Sequence, residues 1–203
     1  LHQGEFGQII LDKTPFYAES GGQVGDQGSF DSDKGVFEVM DTQFSGNAYS
    51  HFGTVSNGQI SVGDKILATV NPVRRKSITL NHTGTHMLHR ALMMVLGEHV
   101  QQRGSLVDDE KIRFDFSHHQ SLTANEIREI ETIVNEKIEE NIDVQTSIMK
   151  HDEAISSGAM ALFGEKYGDD VRVLDVGDFS KELCGGTHVN NTNEIGIFKV
   201  VSE

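Results

Sequence analysis

The 203-residue chain has a single cysteine, Cys184, no tryptophan and only two prolines. One cysteine excludes an intramolecular disulfide. A lone thiol fits a reducing compartment, read here as the cytoplasm, and invites a metal or catalytic role. No apolar run approaches the roughly 20 residues that a membrane helix needs. The opening residues Leu1, His2, Gln3, Gly4 and Glu5 contain neither a basic nor an apolar stretch and do not read as a signal peptide. An initiator methionine is missing too, so the chain is expected to be a piece of something longer, or processed. Basic residues are scarce, with 17 Lys and Arg against 31 Asp and Glu, a net charge of −14. That balance argues against nucleic-acid binding over the whole surface, because phosphates are held by Lys and Arg. Residues 74–104 depart from it, with Arg74, Arg75, Lys76, Arg90 and Arg103 against one acid, Glu98. On charge alone this segment reads as a solvated helix face.

Apolar residues are spread along the whole chain, which predicts a folded protein rather than a disordered one. Residues 1–72 hold 11 of the 21 glycines. Short apolar or alternating runs at 5–11, 36–42, 48–55 and 65–70 lie between Gly, Asp and Asn clusters, which predicts strands. A small antiparallel β-barrel is expected there. Asn71-Pro72 marks a boundary and a helix entry. The second part, 73–203, reads as α+β, with helices packed on a mainly antiparallel sheet. Its helices are expected over 73–97, ended by Gly97, and after Thr123, where Glu126 completes a capping box. Its strands are expected over 100–107, 111–116, 144–149, 171–176 and 195–201.

Two pairs carry the chemistry. His82 and His86 stand four apart on the first helix, so both imidazoles leave one face about 6 Å apart along the axis. Cys184 and His188 are also four apart, but Gly185 and Gly186 between them favour a tight loop over a helix. Three imidazoles and one thiolate suit tetrahedral Zn²⁺. A zinc-protease reading fails because Thr83 stands where the general-base Glu should follow His82. Cys184 as a nucleophile with His188 as base lacks a recognisable orienting group. His89, His99, His118 and His119 read as structural or surface residues. The string from Glu19 to Gly28 spaces Gly22, Gly25 and Gly28 evenly, yet it lacks the Lys-Ser/Thr of a phosphate loop. It reads either as a set of turns or as backbone open to close approach by a ligand.

Several longer strings resemble the editing domain of alanyl-tRNA synthetase. They are Thr14-Pro15-Phe16-Tyr17-Ala18-Glu19-Ser20-Gly21-Gly22-Gln23-Val24-Gly25-Asp26, Asn81-His82-Thr83-Gly84-Thr85-His86, Gly104-Ser105-Leu106-Val107, Arg113-Phe114-Asp115-Phe116-Ser117-His118, the string from Gly158 to Gly168, and Leu183-Cys184-Gly185-Gly186-Thr187-His188. The likeness runs in order along nearly the whole chain. It implies hydrolysis of the ester in mischarged Ser-tRNA(Ala) and Gly-tRNA(Ala), an aminoacyl-tRNA deacylase activity. It also implies one zinc ion on His82, His86, Cys184 and His188, with Thr85 and Gln102 lining the editing pocket. Gly21 and Gly22 match the family's glycine motif; with Arg75 they are expected to contact the substrate. The implied partners are the acceptor end of tRNA(Ala) and the remaining domains of a parent synthetase, and no membrane. No string resembles the class II aminoacylation core, so alanine activation and ATP use are expected to belong to the parent. Gly84 departs from the family, where Ala is common. The competing readings are a free-standing trans-editing protein, a non-catalytic zinc-stabilised tRNA-binding module, and a zinc hydrolase acting on small esters or peptides.

Overall fold

Glycine and polar punctuation breaks the first 70 residues into five strands: β1 (Phe6–Ile10), β2 (Gly28–Ser32), β3 (Gly35–Ser45), β4 (Ala48–Gly58) and β5 (Leu67–Val70). These coordinates are a computed structural model that describes residues 1–161 and 167–203. All pairings are antiparallel, in the order β1-β4-β3-β2-β5. Alternation along β3 turns Phe37 and Val39 inward, and Phe16, Phe30, Val55 and Ile60 complete the core. Phe16 meets Phe30 edge-on, with centroids 5.3 Å apart. Among the described residues no ladder joins β1 to β5, so the sheet stays open where a barrel was expected. Glycine is needed where backbones touch: a β-carbon on Gly28 would lie 2.0 Å from the Thr69 carbonyl oxygen.

Contacts divide the chain into two compact units, Leu1–Ser77 and Ile78–Glu203. Helix α1 (Pro72–Leu96) opens where Asn71 Oδ1 accepts from the Val73 and Arg74 amides at 3.1 Å each. It stops at Gly97, whose φ of 114° only glycine adopts readily. Helix α2 (Ala124–Glu139) begins with the expected capping box of Thr123 and Glu126. Met87, Ala91 and Leu92 of α1 pack with Ile130, Val134 and Ile138 of α2. Strands β6 (Gln102–Val107) and β7 (Ile112–Phe116) form a hairpin. Strands β8 (Val144–Lys150), β9 (Asp170–Val176) and β10 (Ser180–Leu183) form a separate antiparallel sheet, ordered β10-β9-β8. The second unit is thus α+β as expected, but its described strands lie in two sheets. Short helix α3 (His151–Ser156) follows β8.

The strand expected over 195–201 does not form. Ile195 closes a 3-10 turn (Thr192–Ile195), and the segment beyond it pairs with side chains of α2. Asn135 Nδ2 donates to the Phe198 carbonyl at 2.9 Å, and Asn135 Oδ1 accepts from the Phe198 amide at 2.8 Å. Glu131 Oε1 accepts from the Val200 amide at 2.8 Å. With its backbone satisfied this way, the segment needs no neighbouring strand. Of the string from Gly158 to Gly168, residues 162–166 lie outside the described residues. Among the described residues no helix is long and apolar enough to cross a membrane.

Gly84 lies buried inside α1, and a β-carbon there would sit 3.5 Å from Ile112 Cδ1 and 3.8 Å from Phe198 Cδ2, ordinary contact distances. Gly84→Ala therefore removes chain entropy from the unfolded state without overpacking. It is expected to raise unfolding stability by about 0.5–1 kcal/mol in a urea titration. A lowered midpoint would show that the methyl does not fit.

Candidate metal centre

Helical spacing puts His82 and His86 on one face of α1, where their rings stack with centroids 5.2 Å apart. The chain after β10 supplies the other pair. Cys184 is anchored by its backbone, its amide donating to Arg172 O at 2.9 Å and its carbonyl accepting from Arg172 Nη1 at 3.1 Å. Arg172 Nη1 also donates to the Gly186 carbonyl, so one guanidinium holds both ends of the Cys184-Gly185-Gly186 bend. That bend returns His188 toward Cys184. Cys184 Sγ lies 3.2 Å from His188 Nε2 and 3.5 Å from His82 Nε2. One donor atom from each of His82, His86, Cys184 and His188 lies within 4.8 Å of the others; His82 and His86 are buried, and Cys184 and His188 are partly buried.

His86 Nδ1 lies 2.8 Å from Glu182 Oε2, and Glu182 Oε1 accepts from Ser180 Oγ at 2.9 Å. His86 Nε2 is buried with no hydrogen-bond partner. A buried unpartnered nitrogen, in a ring anchored at its other end and turned toward three further donors, is placed as a metal ligand is. Burial raises the Cys184 thiol, but the imidazoles of His82 and His86 and the contacts from His188 and His82 overturn this and hold it well below its ordinary range. Burial depresses His188 to about 3, so that ring is neutral. Burial pushes His86 down as well, yet Glu182 and Cys184 outweigh it and raise it above its ordinary value. Glu182 is lowered in turn, because His86 and His89 overcome its own desolvation. Cys184 Sγ, 3.2 Å from one imidazole nitrogen and 3.5 Å from another, joins sulfur and nitrogen donors at a common point. The four side chains fit a soft or borderline divalent metal.

Thr85 is buried beside this pair on α1, its hydroxyl donating to Asn81 O at 2.9 Å. Gln102 begins β6, half-buried, with Nε2 3.2 Å from Ser105 Oγ. Gly21 and Gly22 belong to the first unit and form a turn closed by the Ser20–Gln23 bridge, with φ of 59° and 85°. Arg75 lies in that unit too, paired with the Asp26 carboxylate and donating to Pro15 O at 3.1 Å. Arg74 Nη1 donates to Gly25 O at 2.7 Å. Two members of the basic segment are thus spoken for by the fold. His99 Nε2 lies 3.0 Å from His118 Nδ1 and stacks on His119, and none of the three belongs to the four-donor cluster. His89 is buried against Phe114.

Glu182 and Thr83 were missed as contributors. For Glu182 a signal existed: Ser180, Glu182 and Cys184 alternate along one strand direction, so the acid shares the thiol's side. For Thr83 the sequence carries no such signal, since its only visible feature is that it stands where a zinc protease has glutamate.

The chain matches the family model described as tRNA synthetases class II (A) over residues 1–74. Over residues 171–203 it matches the threonyl and alanyl tRNA synthetase second additional domain. Similar proteins bear the name alanine–tRNA ligase. That of Nitrosomonas eutropha is 52% identical over 204 residues, covering 100% of this chain and 24% of the relative. That of Methylobacillus flagellatus is 55% identical, covering 100% and 23%. That of Legionella pneumophila is 55% identical, covering 100% and 24%. The chain spans about a quarter of the length of these relatives.

Proposed function

We propose, on the premise that this chain is related throughout its length to a segment of alanine–tRNA ligases, that it is an editing segment. It hydrolyses the ester joining serine or glycine to mischarged tRNA(Ala). The observation that carries this reading is the buried His82, His86, Cys184 and His188 cluster with its orphaned His86 Nε2. The proposed ion is a single Zn²⁺. Bound there, zinc supplies a Lewis acid and a coordination position for an oxygen or nitrogen of the substrate.

The polar residues supply discrimination. An alanine pocket cannot strongly exclude glycine or serine, because one small group is worth only about 1–3 kcal/mol. A second pocket that hydrogen-bonds a hydroxyl reverses the selection, since alanine leaves its polar groups unpaired. Thr85 gives its own proton to Asn81 O, so its oxygen is set to accept from the serine hydroxyl. Gln102 donates through Nε2 to Ser105, which leaves its amide oxygen as an acceptor. Glycine has no such hydroxyl and enters by size. In the first unit Gly21 and Gly22 offer backbone groups to the substrate. Arg75 holds their turn through Asp26, which accepts from the Tyr17 amide, while the Tyr17 hydroxyl donates to Ser20 O. Alanine activation and ATP use are assigned to the rest of the parent enzyme's length.

The test is direct. The chain, loaded with zinc, is mixed with seryl-tRNA(Ala) and alanyl-tRNA(Ala), and ester loss is followed. Seryl hydrolysis is expected to be about 100-fold faster than alanyl, and Gln102→Ala to narrow that ratio. A folded, metal-loaded chain that binds tRNA but leaves both esters intact would instead establish the non-catalytic tRNA-binding module.

A further inference from the structure

Cluster geometry says which four donors meet, but each imidazole has two nitrogens, and only an unprotonated one can bind a metal. Two residues outside the four decide which. Thr83 Oγ1 lies 2.9 Å from Thr79 O, a carbonyl that can only accept, so the single hydroxyl proton points there. The lone pairs of the same oxygen then face the Val189 amide at 3.2 Å and His188 Nδ1 at 3.3 Å. Both of those must donate. His188 is therefore protonated at Nδ1, and its Nε2, 3.2 Å from Cys184 Sγ, carries the free lone pair. Glu182 does the same for the other side. Its carboxylate can only accept, so His86 donates from Nδ1 at 2.8 Å, which leaves Nε2, buried without a partner, as the nitrogen open to a metal. Ser180 Oγ, donating at 2.9 Å to Oε1, holds the carboxylate in place.

We propose that Thr83 and Glu182 are positioning residues for the metal: they hold Nδ1 of His188 and of His86 as hydrogen-bond donors, so each ring turns its Nε2 toward an arriving ion. Each acts through one ring, from a different element, Thr83 from α1 and Glu182 from β10. This explains why threonine stands directly after His82, where a zinc protease would carry its acid. The hydroxyl there serves as an orienting acceptor for a ligand four residues from Cys184 in sequence. The proposal rests on reading the cluster as a metal site, and it requires no statement about the reaction.

Zinc affinity of the full chain, measured by competition with a chromophoric chelator, tests it. Thr83→Val keeps the shape and removes the acceptor, and affinity is expected to fall about 10–100-fold. Thr83→Ser restores the oxygen and most of the affinity. Glu182→Gln keeps an amide oxygen for His86 but loses the charge, for a fall of about 10-fold. Thr192→Val is the control: its buried hydroxyl donates to Lys137 O and accepts from the Ile142 amide, and neither partner is one of the four donors. It is expected to lower the unfolding midpoint without moving zinc affinity. Nitrogen-15 shifts of His188 in the metal-free chain give a second readout, one dominant Nδ1–H form in the wild type and a tautomer mixture in Thr83→Val. Wild-type affinity in both Thr83→Val and Glu182→Gln overturns the positioning role and leaves the metal site standing. A loss no larger than that of Thr192→Val overturns it too. A wild-type chain that takes up no zinc overturns both readings.

Discussion

Cys184→Ala is expected to take bound metal from one ion per chain to none and to slow seryl-tRNA(Ala) hydrolysis by about 100-fold or more. Cys184 is the only donor in the cluster that brings a full negative charge. Without it three imidazoles remain, the Glu182 carboxylate behind His86 is the nearest negative charge, and desolvating a divalent ion with so little compensation is costly. The fold survives the change, because the Cys184 loop is held by backbone contacts to Arg172 that do not involve sulfur. That separation makes the result interpretable. Elemental analysis after dialysis reads stoichiometry. Thermal unfolding with and without zinc reads linkage, since an ion at 100 times its Kd stabilises the native state by about 2.7 kcal/mol. The wild type should show that gain and the variant none. A variant that keeps its metal and its zinc-dependent stability would remove Cys184 from the ligand set, and with it the structural basis for the proposed chemistry.

The parts of this centre that follow local rules were legible in the sequence. A four-residue step on a helix puts two imidazoles on one face, and a Gly-Gly pair bends Cys184 back to His188. Neither rule says that sites 102 positions apart, Cys184 and His82, will meet. That meeting depends on β9 and β10 pairing in a register that places Arg172 against the Cys184 loop, a long-range choice with no short motif. Strand β2 escaped notice for a different reason: only Phe30 in Gly28–Ser32 is a large apolar residue, so no alternation is visible. The segment over 195–201 shows the opposite failure. Ile195, Ile197 and Val201 look like a strand edge, yet Asn135 and Glu131 supply its hydrogen bonds from a helix. Periodicity records which side chains want burial and is silent on which groups will satisfy the backbone.

Arg75→Met is expected to destabilise the unit Leu1–Ser77 by about 3 kcal/mol, the low end for breaking a buried pair because part of the arginine is exposed. Asp26 is 1% exposed, and it gathers Arg75 Nε at 2.9 Å and the Tyr17 amide. Removing the guanidinium leaves a carboxylate in the interior with one amide to support it. Asp26→Asn in the same background removes the stranded charge while keeping an oxygen for Tyr17, so the double variant should recover more than half of the loss in urea unfolding. This pair also decides what the basic segment does. If Arg75 binds phosphate directly, its loss reduces the salt slope of tRNA binding by about one ion. If it works through Asp26 and the Gly21-Gly22 turn, the folded variant keeps its salt slope and loses affinity evenly at every salt concentration. The second outcome is the expected one, because a guanidinium held by a buried carboxylate has already given up the geometry that a phosphate would need.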